Sequence, residues 1–451
     1  MKPLSTSDAM FLLLEARRYP MHVAGLQLYS MPDGAGPEFA RTLAQQAREA
    51  APPQPPFNYR PVRRMGRWHW AEDAQFDMDY HLRHSALPHP GRIRELLELV
   101  SRLHCTLLDR TRPMWEMNII EGLNDGRIAT YKKLHHSMFD GVAAMRTIVD
   151  AHSTDPNERE MLPIWARPKP RRKPAPKSQS GSLAGVMDSL KEGRQSIAGI
   201  RLGLWDIMRK SGVDPSDVTP FQAPPSILNP AITGARRLAT QSWSVSRLKA
   251  LSKKAGVTLN DLVLGVCSGA LREYLLSQNA LPEKPLIAMV PVSVRSADTV
   301  AEGNQVAMML IDLATEVADP LARLKRIAAS SDVAKKRMNQ MSRAEQVAYM
   351  LTLGLPLPLS AITGSYRLRP PFNLVISNVR GPDQPIYWNG AKLDEMYPVS
   401  MLFDGQALNI TLTSYCDQLG FGFVGCRTAL PHLQRLLDYT NNAIEQLEAA
   451  I

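Results

Sequence analysis

Four cysteines are present in 451 residues, Cys105, Cys267, Cys416 and Cys426, and no two stand at C-x-x-C spacing. This scarcity argues against a zinc ribbon or a disulfide framework and fits a reducing compartment. The start, Met1-Lys2-Pro3-Leu4-Ser5, has no charged region followed by an apolar one and a cleavage site, so it does not read as a signal peptide. No stretch forms a clean membrane span. The uncharged run from Gln346 to Tyr366 is long enough, but Gly354, Pro356, Pro358 and Gly364 break it. It reads better as a pocket-lining or interfacial segment. The sequence holds no G-x-S-x-G elbow and no Walker A pattern, so neither a standard serine esterase nor a P-loop enzyme is supported.

What is present begins with size and charge. With 44% apolar residues the chain can bury a large core and is expected to divide into two domains. A formal charge of +10 points to an anionic partner: nucleic acid, a phospholipid surface or a phosphorylated cofactor. No nucleic-acid module is visible, and the basic segment described below lacks interleaved aromatics, so no nucleic-acid partner is expected.

Hydrophobic alternation predicts strands over 22–30, 114–122 and 127–135, followed by a helix over 141–151. Met161 to Ser180 interleaves five prolines with six basic residues and no acid, the composition of a stiff, extended linker. Leu183 to Met208 reads as a basic amphipathic helix suited either to an anionic lipid surface or to packing on the protein. Beyond it the mixed pattern resumes. Strands are expected at 237–245, 286–295, 304–314, 372–378, 392–402, 408–415 and 420–427, with helices over 258–277, 320–337, 342–353 and 431–448. The resulting division is 1–160, a linker with amphipathic helix over 161–235, and 236–451. Each half is an α/β unit of sheet with covering helices.

The stretch with the most readable chemistry is His135-His136-Ser137-Met138-Phe139-Asp140-Gly141. A neutral imidazole can take a proton from an alcohol near pH 7. Asp140 can fix the turn that aims the ring or cap the following helix, and Gly141 lets the backbone bend. At the end of a strand, adjacent side chains point to opposite faces. Two rings so placed cannot easily share a metal ion, and neither His104 nor His152 has useful spacing to complete a shell. No metal is expected. One ring is expected to meet substrate while the other packs or hydrogen-bonds inside.

Three other patterns need weighing. Gly420 to Gly425 match G-x-G-x-x-G, but lie within strand-like alternation instead of a strand-to-helix turn, so nucleotide binding there is not expected. Asn260-Asp261 opens a predicted helix and has the composition of a cap. Ser377-Asn378-Val379-Arg380-Gly381-Pro382 reads as a strand exit.

In order along the chain, these segments resemble the bacterial wax ester synthase/diacylglycerol acyltransferase family. The resemblance is carried by Pro3-Leu4-Ser5, Asp8-Ala9-Met10-Phe11, Pro20-Met21-His22-Val23, Arg112-Pro113-Met114-Trp115-Glu116 and the HHxxxDG heptad. Asn260-Asp261 and Ser377 to Pro382 follow in the second half. HHxxxDG alone is shared with condensation domains and other coenzyme A-dependent acyltransferases; the ordered set is more specific. Met114 replaces the usual leucine, and Arg380 stands where proline is often found. These departures bear on substrate preference more than on reaction type.

The resemblance implies two chloramphenicol acetyltransferase-like α/β domains with a catalytic tunnel at their interface. It implies acyl transfer from acyl-CoA to a long-chain fatty alcohol or a diacylglycerol, with His136 as general base and no covalent acyl-enzyme. His135, Asp140 and Gly141 would shape the loop, and Asn260, Asp261, Ser377 and Asn378 would support the site. Acyl-CoA is a cosubstrate, and no further cofactor is expected. The protein would be cytoplasmic, peripherally associated with the inner membrane or lipid inclusions. Two other readings are a condensation-like enzyme using a carrier-protein thioester and a non-catalytic lipid-particle surface protein.

Overall fold

A computed structural model describes residues 1–139, 141–167, 216–294, 305–341, 345–346, 349 and 370–451. Its first half runs β1 (Lys2–Pro3), α1 (Thr6–Leu14), β2 (His22–Ser30), α2 (Phe39–Glu49), β3 (Tyr59–Arg64), β4 (Arg67–Glu72), α3 (Met78–His81), β5 (Leu82–Ala86), α4 (Ile93–Cys105), β6 (Trp115–Glu121), β7 (Ile128–His135) and α5 (Gly141–Asp150). The second runs β8 (Arg236–Ser244), α6 (Val245–Ala255), α7 (Leu259–Ser277), β9 (Ile287–Val294), β10 (Gln305–Asp312), α8 (Pro320–Gln340), β11 (Leu374–Val379), β12 (Tyr387–Trp388), β13 (Ala391–Val399), β14 (Leu408–Tyr415), β15 (Gln418–Cys426) and α9 (Arg435–Ala450). The segment expected to form the amphipathic helix 183–208 lies outside the described residues. So do 342–344 and 350–366, most of the expected helix 342–353 and of the proline-broken run.

Two six-stranded mixed sheets carry the fold, ordered β12-β13-β2-β7-β6-β5 and β10-β9-β11-β14-β15-β8. They do not follow the linear division expected from sequence. β13 leaves the second half and pairs antiparallel with β2, Lys392 opposite Ser30 and Val399 opposite Ala24. Alternation shows that a strand exists but not which sheet it joins. The expected linker also begins later than residue 161. Met161, Ile164, Trp165 and Ala166 are buried, and Trp165 stacks on Trp115 at 5.1 Å between ring centroids. The two tryptophans recruit the start of the proline-rich segment into the first core.

Every residue of β7 is buried, including Lys132 and Lys133. Side-chain alternation separates their surroundings. Leu134 faces a core with Trp115, Met145, Ile148 and Trp165, whereas Tyr131 faces one shared with α4 and much of the second half. The two halves therefore meet through continuous apolar packing. Lys133 is neutralised there by Glu116 at 3.1 Å, and it donates to the carbonyls of Leu103 and Thr106 at the end of α4. That placement satisfies carbonyls that the helix itself leaves open.

The G-x-G-x-x-G stretch has a packing role. A Cβ at Gly420 would collide with the Met396 carbonyl, and one at Gly422 with the Pro398 carbonyl. Only glycine lets β13 cross so close over β15 on its way to the first sheet.

Candidate active site

The histidine turn grows directly from β7. Pairing of β2 with β7 places His22 opposite His135. The backbone N–H of His135 donates to Met114 O at 3.0 Å, and that of His136 to Met21 O at 2.8 Å. The chain then turns, with Met138 N–H donating to His135 O at 2.9 Å, and reaches α5. Both flanking motifs thus hold the turn through backbone: Met114 of the R-P-M-W-E segment and Met21 of the P-M-H-V segment.

His135 is fully buried, and both of its ring nitrogens face polar groups. Ser137 N–H donates to Nδ1 at 3.1 Å, with Ser137 Oγ 2.7 Å from the same atom. Nδ1 is an acceptor, so the neutral ring carries its proton on Nε2. Nε2 faces Glu15 Oε1 at 3.4 Å. The same Glu15 oxygen accepts from Met21 N–H at 3.0 Å, while Oε2 takes both Nε and Nη2 of Arg110, at 3.1 and 3.0 Å. Burial pushes the Glu15 carboxyl up, but His135, the Met21 N–H and Arg110 outweigh it and hold it below the usual carboxylate range. Glu15 and Arg110 were not singled out from sequence. They stand 95 residues apart and carry no local pattern.

His136 is different. It is partly exposed, with Nδ1 buried, and its ring stacks on Phe11 with 4.2 Å between centroids and 25° between planes. Phe11 belongs to α1, whose N-cap Ser5 accepts from Asp8 N–H at 3.1 Å. The N-terminal motifs therefore cap and position the helix whose aromatic side chain clamps the second histidine. The structure separates the rings as strand geometry predicts.

Behind the turn lies a second pair of histidines. His22 Nε2 is 3.0 Å from His104 O, and the rings meet edge-on at 4.7 Å. His104 Nε2 donates across the halves to Ser400 O at 3.0 Å, and Nδ1 accepts from the Tyr131 hydroxyl at 2.8 Å. Burial, with nearby cations, holds the His22 pKa well below its ordinary value and that of His104 at about 3. Both are neutral near pH 7.

The remaining predicted residues sit as follows. Asp140 lies outside the described residues. Gly141 opens α5 with no positive φ, and a Cβ there would meet open space. Asp261 is buried at the start of α7, where Thr258 Oγ1 donates to its carboxylate at 2.5 Å and Lys335 lies 3.5 Å away. Asn260 shares that first turn and is partly buried. Ser377 and Asn378 lie on β11, opposite Thr411 and Leu412 of β14. The exit that follows needs Gly381, where a Cβ would collide with Ser414 O. Among the described residues, no group of three or more His, Cys, Asp or Glu is arranged to hold a metal.

A histidine turn on one mixed sheet, joined through its core to a second, defines a fold shared with solved condensation domains. One from the CDA synthetase superposes with a TM-score of 0.56 at 14% identity, covering 99% of this chain and 96% of that one. The chain belongs to the wax ester synthase/diacylglycerol acyltransferase family and is an O-acyltransferase. The family's catalytic-domain model matches residues 4–263, and its C-terminal-domain model matches 302–448. The chain is similar to the O-acyltransferase WSD of Acinetobacter baylyi, 46% identical over 100% of this chain and 98% of the relative. A Mycobacterium tuberculosis protein named as a probable diacylglycerol O-acyltransferase is 47% identical, with 99% and 98% covered. The solved wax ester synthase/diacylglycerol acyltransferase of Marinobacter aquaeolei is 43% identical, covers 100% of this chain and 99% of its own, and superposes with a TM-score of 0.82.

Proposed function

We propose that this acyltransferase moves a fatty acyl group from acyl-CoA to long-chain alcohols, giving wax esters, and to diacylglycerol, giving triacylglycerol, with His136 as general base. The observation that carries the assignment is the contrast between the rings: His135 is committed to Glu15 and Ser137, whereas His136 is partly exposed and clamped on Phe11. With Nδ1 buried, His136 Nε2 is the atom that meets the acceptor. It takes the hydroxyl proton as the alcohol oxygen attacks the thioester carbonyl. Collapse of the tetrahedral intermediate breaks the C–S bond, and the imidazolium returns its proton to the departing sulfur. No acyl-enzyme is needed. His135, Asp140 and Gly141 shape the turn, and Asn260, Asp261, Ser377 and Asn378 support the site from the second half.

No helix among the described residues is long and apolar enough to cross a membrane. We assign the protein a cytoplasmic, peripheral place on the inner membrane or lipid inclusions, where its products partition. The basic segment 183–208 is the proposed dock. Its deletion should release the protein from lipid.

The test is to incubate purified protein with palmitoyl-CoA and compare hexadecanol with dioleoylglycerol, following ester and free thiol. His136→Ala should lose roughly 10²-fold or more in kcat. An unchanged rate in that variant would refute the base assignment. Turnover only with a carrier-bound thioester would refute the acyl-CoA donor.

A further inference from the structure

A cavity of about 1240 Å³ lies between α4 of the first half and the 232–237 and 427–428 segments of the second. It is outside the turn that carries His135 and His136, and six arginines line it against two glutamates, Glu95 and Glu98. Both glutamates already have partners: Glu95 pairs with Arg92 at 2.9 Å, and Glu98 with Arg94 at 3.3 Å. Arg17, Arg102 and Arg427 come from three separate chain segments, are exposed, and make no ion pair among the described residues. Arg236 is buried beside them, its guanidinium held by the carbonyls of Thr233, Ala235 and Arg18, and Asp404, which pairs with Arg18 at 3.1 Å, is its nearby carboxylate. Gathering guanidiniums in a concave space costs free energy through repulsion and desolvation unless an anion offsets it.

The cavity adjoins the reaction site through two elements. The loop carrying Arg17 begins just after Glu15, the carboxylate facing His135. α4, which carries Arg102 and Cys105, also carries His104, packed edge-on against His22. A ligand with several phosphates on a long arm fits a concave, arginine-lined cavity beside the turn. A bilayer would need a flat or convex basic face.

We propose that this cleft binds the phosphorylated nucleotide head of the acyl-CoA donor, with Arg17, Arg102 and Arg427 taking its phosphates. The inference rests on the acyl-CoA reading above. The test compares palmitoyl-CoA with S-palmitoyl-pantetheine, which lacks the nucleotide, in wild type and in the double variant Arg102→Ala/Arg427→Ala. The expected result is a roughly tenfold rise in KM for palmitoyl-CoA, with kcat within about twofold and KM for the truncated donor unchanged. Arg41→Ala, on α2, should leave both donors unaffected. A KM shift shared by both donors, or none for either, overturns the proposal.

Cys105 lines the same cleft, giving a readout independent of turnover. Free CoA should slow N-ethylmaleimide labelling of Cys105, measured by peptide mass spectrometry, in wild type but not in the double variant. A circular-dichroism melt checks that the double variant is folded. Absence of protection by millimolar CoA, or protection only by anionic phospholipid vesicles, overturns the assignment. Protection by CoA in a protein that turns over neither donor would sustain the cleft and refute the reaction.

Discussion

Glu15 Oε1 lies 3.4 Å from His135 Nε2, while Glu15 Oε2 is gripped by two nitrogens of Arg110. One buried carboxylate thus ties the end of α1, the start of β2 and the histidine turn together. Holding His135 in this way also fixes the backbone from which His136 projects, because the two are adjacent in the chain.

Glu15→Gln keeps the side chain's shape and removes the charge opposite Arg110 and His135. Unfolding in urea should show a loss of about 1–3 kcal/mol at neutral pH. Steady-state kinetics should show a lower kcat with little change in donor KM. The folded carboxyl is held below its ordinary value of 4.5, so its stabilisation is fully present above that pH and is lost as pH falls through the folded value. The gap between wild type and variant should therefore narrow below pH 4.5 and stay constant at pH 6–8.

Phe11→Ala removes the ring on which His136 rests. An aromatic pair of this kind is worth about 0.5–1.5 kcal/mol, so kcat/KM should fall roughly two- to twelvefold if the stack sets the working orientation. Phe11→Tyr should recover most of the activity. A loss of stability with unchanged kinetics would show that the stack only packs.

Lys132 Nζ lies 3.0, 2.8 and 3.3 Å from the side-chain oxygens of Gln27, Thr130 and Tyr29, with no carboxylate partner among the described residues, and burial brings its pKa down to about 7. Between that value and its ordinary 10.5 the unfolded chain binds the proton and the folded chain does not. Stability must rise with pH through that window. Lys132→Met should remove this slope, so wild type gains on the variant between pH 7 and pH 10 in urea melts. Parallel curves for the two proteins would contradict a neutral buried amine.

Gly422→Ala places a methyl against the Pro398 carbonyl, where β13 crosses β15, and neither backbone can yield easily. The expected cost is about 3 kcal/mol or more, seen as a large drop in Tm or in soluble yield. Gly265→Ala is the milder control, because its methyl would meet Leu324 Cδ1 at 2.8 Å, the far end of a flexible side chain.

Legibility from sequence followed the range of each interaction. β2 and β14 occupy the residues that alternation predicted, 22–30 and 408–415, and α7 differs from its predicted range by one residue. α6 escaped notice because it follows β8 with no glycine or proline between them. The change of structure rests on the Ser244 cap and its contact with Asp417. The histidines were legible because strand, turn and helix are contiguous there. Glu15, Arg110 and the arginine cleft were not, because single charged residues from distant segments leave no periodic signal.

By itself the sequence determined that a strand runs into two adjacent histidines whose rings face apart, and that the chain is built of sheet with covering helices. Those properties follow from backbone geometry within a few residues. Only the tertiary structure decided that Glu15 and Ser137 hold His135, that Phe11 clamps His136, and that β13 crosses into the other sheet. Each depends on burial that brings distant groups within a few ångströms, where desolvation and close packing select one partner among many.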